Sequence, residues 1–130
     1  MVLQRGTRSI AILATAAREI APIGARLRLP GAAEFVTGVV NLRGTLVPLA
    51  DPGRLLGTVP DITPLWCVAL DLGGQRCALA VDALPVLRAA DAPPGARLDG
   101  CRYLACEVVV AGASIPLLDV VALADDILLT

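Results

Sequence analysis

The feature that most constrains this chain is that it repeats itself. Displaced by 68 residues without a gap, Gly6 falls on Gly74, Arg8 on Arg76 and Ala21 on Ala89. Phe35 falls on Tyr103 and Val40 on Val108. A longer frame follows, with Gly44, Pro48, Leu49, Asp51 and Leu55 on Gly112, Pro116, Leu117, Asp119 and Leu123. Chance matches of Ala, Leu and Val are common in a chain that is 56% hydrophobic, but coincidences of Gly, Pro, Asp and aromatics at one offset are not. The sequence reads as two copies of one unit, residues 1–60 and 61–130, within a single domain. A unit of roughly 60 residues buries only about 60% of its unfolded surface, so two such units gain by packing together.

Each copy has a β pattern. Residues 9–14 and 76–81 are short aliphatic runs, each preceded by glycine at a turn. Residues 35–42 and 45–49 form two apolar runs joined across Arg43-Gly44, a hairpin signal in which glycine supplies positive φ. Residues 107–110 and 114–118 repeat it around Ala111-Gly112. Asp51 precedes Pro52, and Asp119 precedes residues 120–123, each placed to cap a short helix. Residues 14–20 are expected to form one or two helical turns, and residues 57–64 the crossing between copies. Short strands with tight turns and little helix predict an all-β chain of small barrels.

Mean hydropathy is +0.74, a membrane-like value. The longest uncharged stretch, however, is residues 108–118, which contains Pro116. A spanning helix needs about 18 uninterrupted apolar residues, so none is expected. The first 17 residues resemble a signal peptide, but their apolar part, residues 10–14, falls short of the roughly 7–15 residues such a region needs. A cytoplasmic chain is expected. Net charge is −1 and there are three aromatics, so nucleic acid is not an expected partner. The absence of histidine removes Ser/His/Asp and Cys/His catalysis and most catalytic zinc sites. Cys67, Cys77, Cys101 and Cys106 lack paired C-x-x-C spacing and read as small buried hydrophobes of a reducing compartment. No metal or cofactor is expected, and no phosphate-binding or nucleophile motif is present. Asp125 and Asp126 read as a charged chain end, since adjacent residues do not face each other.

Two positions break the repeat in a chemically pointed way. The partner of Arg43 is Ala111, so the shared turn does not require arginine, and the partner of Glu19 is Leu87. An ion pair special to copy one marks a candidate binding surface.

Residues 29–51, LPGAAEFVTGVVNLRGTLVPLAD, closely resemble the signature of the CheW-like coupling proteins of bacterial chemotaxis, with its F-x-x-G-x-x-N-L-R-G core. Ala17-Arg18-Glu19-Ile20 resembles the family's V-R-E-[IV], and Leu72-Gly73-Gly74-Gln75-Arg76 and Ala80-Val81-Asp82 resemble its second half. The resemblance implies two five-stranded SH3-like β-barrels packed side by side, and a non-enzymatic adaptor. Its expected partners are the cytoplasmic hairpin of chemoreceptors and the regulatory domain of a histidine kinase. It would work at membrane receptor arrays through protein contacts, without inserting into the membrane. Carried over by position, Asn41, Arg43 and Gly44 of the hairpin turn, with Glu19, Ala14 and Ala17, form the expected receptor face. Two alternatives stay open: the same scaffold in a pilus or other non-flagellar pathway, and a small β-barrel thiol enzyme using Cys101 or Cys106.

Overall fold

The computed structural model describes residues 1–28, 33–58, 63–72, 74–98 and 102–127. In chain order the elements are β1 (Val2–Arg5), β2 (Arg8–Ala11), a 3-10 turn (Ala14–Ala16), β3 (Ala17–Pro22), β4 (Arg26–Leu27), β5 (Val36–Leu42) and β6 (Thr45–Ala50). There follow α1 (Pro52–Leu55), β7 (Trp66–Leu72), β8 (Gln75–Val81), β9 (Leu104–Val110), β10 (Ala113–Leu118) and α2 (Val120–Ile127). The chain is all-β with short helices. The repeat is structural: β9, β10 and the start of α2 lie 68 residues after β5, β6 and the start of α1.

The strands form a four-stranded sheet, β1-β2-β10-β9, and a six-stranded sheet, β3-β7-β8-β6-β5-β4. Both take strands from both sides of residue 60. The β1–β2 hairpin joins β10 through a parallel pairing, Leu117 opposite Ala11, and β7–β8 joins β6 the same way, Leu49 opposite Ala78. Single bridges from Val86 to Val2 and from Arg97 to Cys106 occupy, in the smaller sheet, the places of β3 and β4 in the larger. The two sheets thus share one strand order, and each copy lends its first hairpin to the other.

Period-two alternation sets which side chains go inside. On β5, Val36, Val40 and Leu42 are buried, and on β9 their counterparts Val108 and Val110 are buried as well. Three clusters result. Val40, Val47, Leu49, Cys67 and Ala80 fill the larger sheet's interior; Ala11, Cys106, Val108, Val110 and Ile115 fill the smaller. A third cluster belongs to both, bringing Leu3 and Ile10 from one sheet against Leu70, Leu79 and Val81 of the other, sealed by Leu123 and Ile127 of α2. This shared core is why two marginal units hold as one body.

Local signals set the element ends. Asp51 accepts from Gly53 N at 2.9 Å, and Asp119 from Ala122 N at 3.1 Å, so both expected caps form. Gly38 admits β4 against β5, since a Cβ there would lie 2.8 Å from Leu27 O. One expected element differs. Helical structure after Ala14 stops at Ala16, and Ala17–Pro22 is a strand paired with β7, Ile20 opposite Val68. The gain from extending a sheet across an apolar neighbour outweighs alanine's weak local preference for helix.

Candidate functional site

The β5–β6 hairpin closes in a two-residue turn with Arg43 at φ 53° and Gly44 at φ 84°. Its counterpart has Ala111 at φ 50° and Gly112 at φ 80°, the same left-handed pair that matches the right-handed twist of the strands. The amide of the glycine, the second residue of each turn, needs an acceptor. Asn41 Oδ1 accepts from Gly44 N at 2.8 Å, and Asp91 Oδ2 accepts from Gly112 N at 2.9 Å. Asn41 is thereby a turn-fixing residue.

Arg43 reaches Glu19 on β3, Nε to Oε2 at 3.3 Å. The arginine side chain is 86% exposed and that of Glu19 26%, so the pair is displayed at the surface. An exposed pair of this kind is worth about 0–1 kcal/mol, too little for the fold to depend on it. At the repeat-related positions the chemistry inverts: Leu87 is 71% exposed and Ala111 stands where Arg43 would be. Ala14 is exposed and, with Leu13, Leu87 and Val110, lines an apolar groove of about 200 Å³. Leu84 and Val86 add further exposed aliphatic surface. Ala17 is half-buried against the shared core. Of the six expected site residues, four (Glu19, Asn41, Arg43 and Gly44) meet at the hairpin turn, while Ala14 belongs to the groove and Ala17 to the support beneath.

A buried ionic cluster had no clear sequence signal. Arg5, 4% exposed, donates from Nε and Nη2 to both oxygens of Asp51 at 3.0 and 3.1 Å, and from Nη1 to Asp82 Oδ1 at 2.7 Å. The second Asp82 oxygen accepts from Gly6 N. Burial opposes the guanidinium charge, but the hydrogen bonds and charge of Asp51 and Asp82 raise its pKa above the ordinary value. The cluster ties β1 to the ends of β6 and β8, and so one sheet to the other. In the sequence Arg5 reads only as a basic residue ahead of an apolar stretch, and its repeat partner is Gly73.

Two of the thiols are held away from chemistry by burial. Cys67 and Cys77 are buried, and desolvation pushes both pKa values up, that of Cys77 to about 11. Cys106 is buried as well, and Cys101 lies outside the described residues. Among the described residues no three His, Cys, Asp or Glu side chains are grouped to hold a metal ion. None of their helices is long and apolar enough to cross a membrane. At the charged end of α2, Asp126 accepts from Arg102 at 2.8 and 3.2 Å and from the Tyr103 hydroxyl at 2.6 Å.

The fold and this surface define a duplicated SH3-like β module: two similar sheets packed on a shared core, with a displayed ion pair at one hairpin turn and an apolar groove lined by Ala14. The profile of the CheW-like domain family matches residues 1–128, and the chain belongs to that family. Among solved structures it is similar to the scaffolding protein TtCheW from Thermoanaerobacter tengcongensis, at TM-score 0.72 and 18% identity, covering 91% of this chain and 86% of that one. No curated protein matches the chain.

Proposed function

We propose that the chain is a non-enzymatic adaptor that couples a membrane chemoreceptor to a histidine kinase, binding the receptor's cytoplasmic hairpin and the kinase's regulatory domain. Family membership supports the class of activity. The observation that carries the reading is the Glu19–Arg43 pair, held at 3.3 Å on a turn whose backbone is reproduced in copy two without either charge. A pair that the fold does not need, displayed at the surface, is suited to orient a partner, since surface charge contributes more to register and encounter than to stability. The groove lined by Ala14 and Leu87 supplies the apolar contact. Such a scaffold would work in the cytoplasm beside receptor arrays, transmitting a signal as a shift in the geometry of the proteins it holds.

The test is calorimetric titration of the chain against the kinase regulatory domain and a receptor hairpin fragment from the same genome. Micromolar binding to both is expected. Arg43→Glu should abolish receptor binding with little change in thermal midpoint, and adding Glu19→Arg should restore part of it. A folded sample silent towards both proteins would overturn the proposal.

A further inference from the structure

The groove and the ion pair stand on different sheets. Ala11, Val108, Val110 and Leu117 of the smaller sheet line the groove, whereas Glu19 and Arg43 belong to β3 and the β5–β6 turn of the larger. A protein that touches both surfaces at once therefore reads the angle between the sheets. The shared apolar core holds the sheets together, but apolar attraction has no direction and does not by itself choose one angle.

The direction comes from Arg5. It leaves β1 of the smaller sheet and meets the ends of two neighbouring strands of the larger, β6 and β8, which run parallel with Ala50 opposite Leu79. Asp51 follows β6 and accepts from Nε and Nη2; Asp82 follows β8 and accepts from Nη1. Asp82 also accepts from Gly6 N, and its own amide donates to Gln4 O at 2.9 Å, so the β1–β2 turn is held from two sides. From Asp82 the chain continues to Val86, which exchanges hydrogen bonds of 2.8 and 3.1 Å with Val2, and then to Leu87 on the groove wall. The repeated fold does not require this arrangement. Asp119, the repeat partner of Asp51, also caps its helix, yet the cation it meets is Arg97, 3.7 Å away and 73% exposed. Arg5 and Asp82 fall on Gly73 and Ala14. Burying ions costs desolvation that packed aliphatics avoid, so stability alone gives no reason for the cluster. What aliphatics lack is the fixed direction of a guanidinium fork.

We propose that Arg5, with Asp51 and Asp82, is a positioning element for partner binding: it sets the angle between the charged turn and the groove, so that one receptor hairpin engages both. The inference rests on the coupling role proposed above and adds the residues that hold its two contact surfaces in register. Arg5 is 4% exposed, so it acts through the sheets rather than by touching the partner.

The test compares the full chain with Arg5→Lys, which keeps the charge and loses the fork, and with Leu123→Ala, which weakens the shared apolar core and leaves the fork intact. All are measured at a temperature where each chain is fully folded. Residual dipolar couplings of the backbone amides should place both sheets in one alignment frame in the parent and in Leu123→Ala, and in two frames in Arg5→Lys. Affinity for a receptor hairpin fragment should fall about tenfold in Arg5→Lys, the scale of coupling within one network, and stay within about twofold in Leu123→Ala. Should Arg5→Lys not fold, Asp82→Asn, which retains an acceptor for Gly6 N, takes its place with a smaller loss in the same direction. One shared frame in the joint variant, an unchanged affinity, or an equal loss in Leu123→Ala would overturn the proposal. A parent chain silent towards the fragment overturns the coupling reading instead, and the alignment frames still decide whether Arg5 sets the angle.

Discussion

Arg5 on β1 of the smaller sheet and Asp51, just past β6 of the larger, meet fork to fork in the interior, both guanidinium bonds close to 3 Å and both residues under 5% exposed. Such geometry fixes two bodies more rigidly than apolar contact alone, because it satisfies direction as well as distance. Asp51 also caps α1, so one carboxylate serves the helix and the junction together.

Removal of the arginine should therefore be costly. Arg5→Leu leaves the buried Asp51 and the half-buried Asp82 without the guanidinium that bridges them, and a loss of about 3–5 kcal/mol is expected in chemical denaturation. Arg5→Lys should recover only part of this, since an ammonium cannot bond both oxygens of Asp51 and one of Asp82 in the same plane. A loss below 1 kcal/mol in Arg5→Leu would show that the shared apolar core alone sets the junction.

At the hairpin turn, binding and stability should separate. Arg43 holds φ 53°, a conformation asparagine and glycine adopt more readily. Arg43→Asn should leave the thermal midpoint unchanged or slightly raised, the better turn offsetting a surface pair worth about 0–1 kcal/mol. It should still weaken receptor binding. Gly44→Ala, at φ 84°, should destabilise by about 1 kcal/mol or more. A melt that drops sharply in Arg43→Asn would make the arginine structural.

The buried thiols should be inert. In the folded protein Cys67, Cys77 and Cys106 should resist alkylation at pH 8 and react on addition of denaturant, as expected of solvent-excluded groups, with the Cys77 thiol pushed to about 11. Rapid labelling of Cys106 in the native state would revive a thiol-based activity.

Asp126 gives a pH test. Its hydrogen bonds to Arg102 and then to Tyr103 hold its carboxyl below the ordinary value of 3.8. A depressed carboxylate supports the folded state above its unfolded pKa, and that support fades as pH falls through the folded value. Arg102→Ala should move the NMR titration midpoint of Asp126 up towards 3.8. The stability difference from the parent chain should be level at neutral pH and vanish in acid. A midpoint unmoved by the substitution would mean the contact does not persist in solution.

Much of this protein is legible one segment at a time. The hairpins at Arg43-Gly44 and Ala111-Gly112, the caps Asp51 and Asp119, and the inward alternation of β5 follow from φ preferences and period-two patterning, which act over a few residues. The Glu19–Arg43 pair was legible because both charges break the same repeat. Residues 17–20 read as part of a helical turn because their strand state depends on β7, some fifty residues away. Arg5 was missed for the same reason, since nothing beside it in the chain announces Asp51 or Asp82.

By itself the sequence determined that there are two copies of a β unit, where each turns, and which turn carries the charges. Only the tertiary structure decided that each copy's first hairpin pairs with the other copy and that Arg5 is the bolt between the sheets. The division has one physical cause. Turn and strand preferences are set by neighbours along the chain, whereas the parallel pairings of β2 with β10 and β6 with β8 acquire their hydrogen bonds and buried contacts only once distant segments have met.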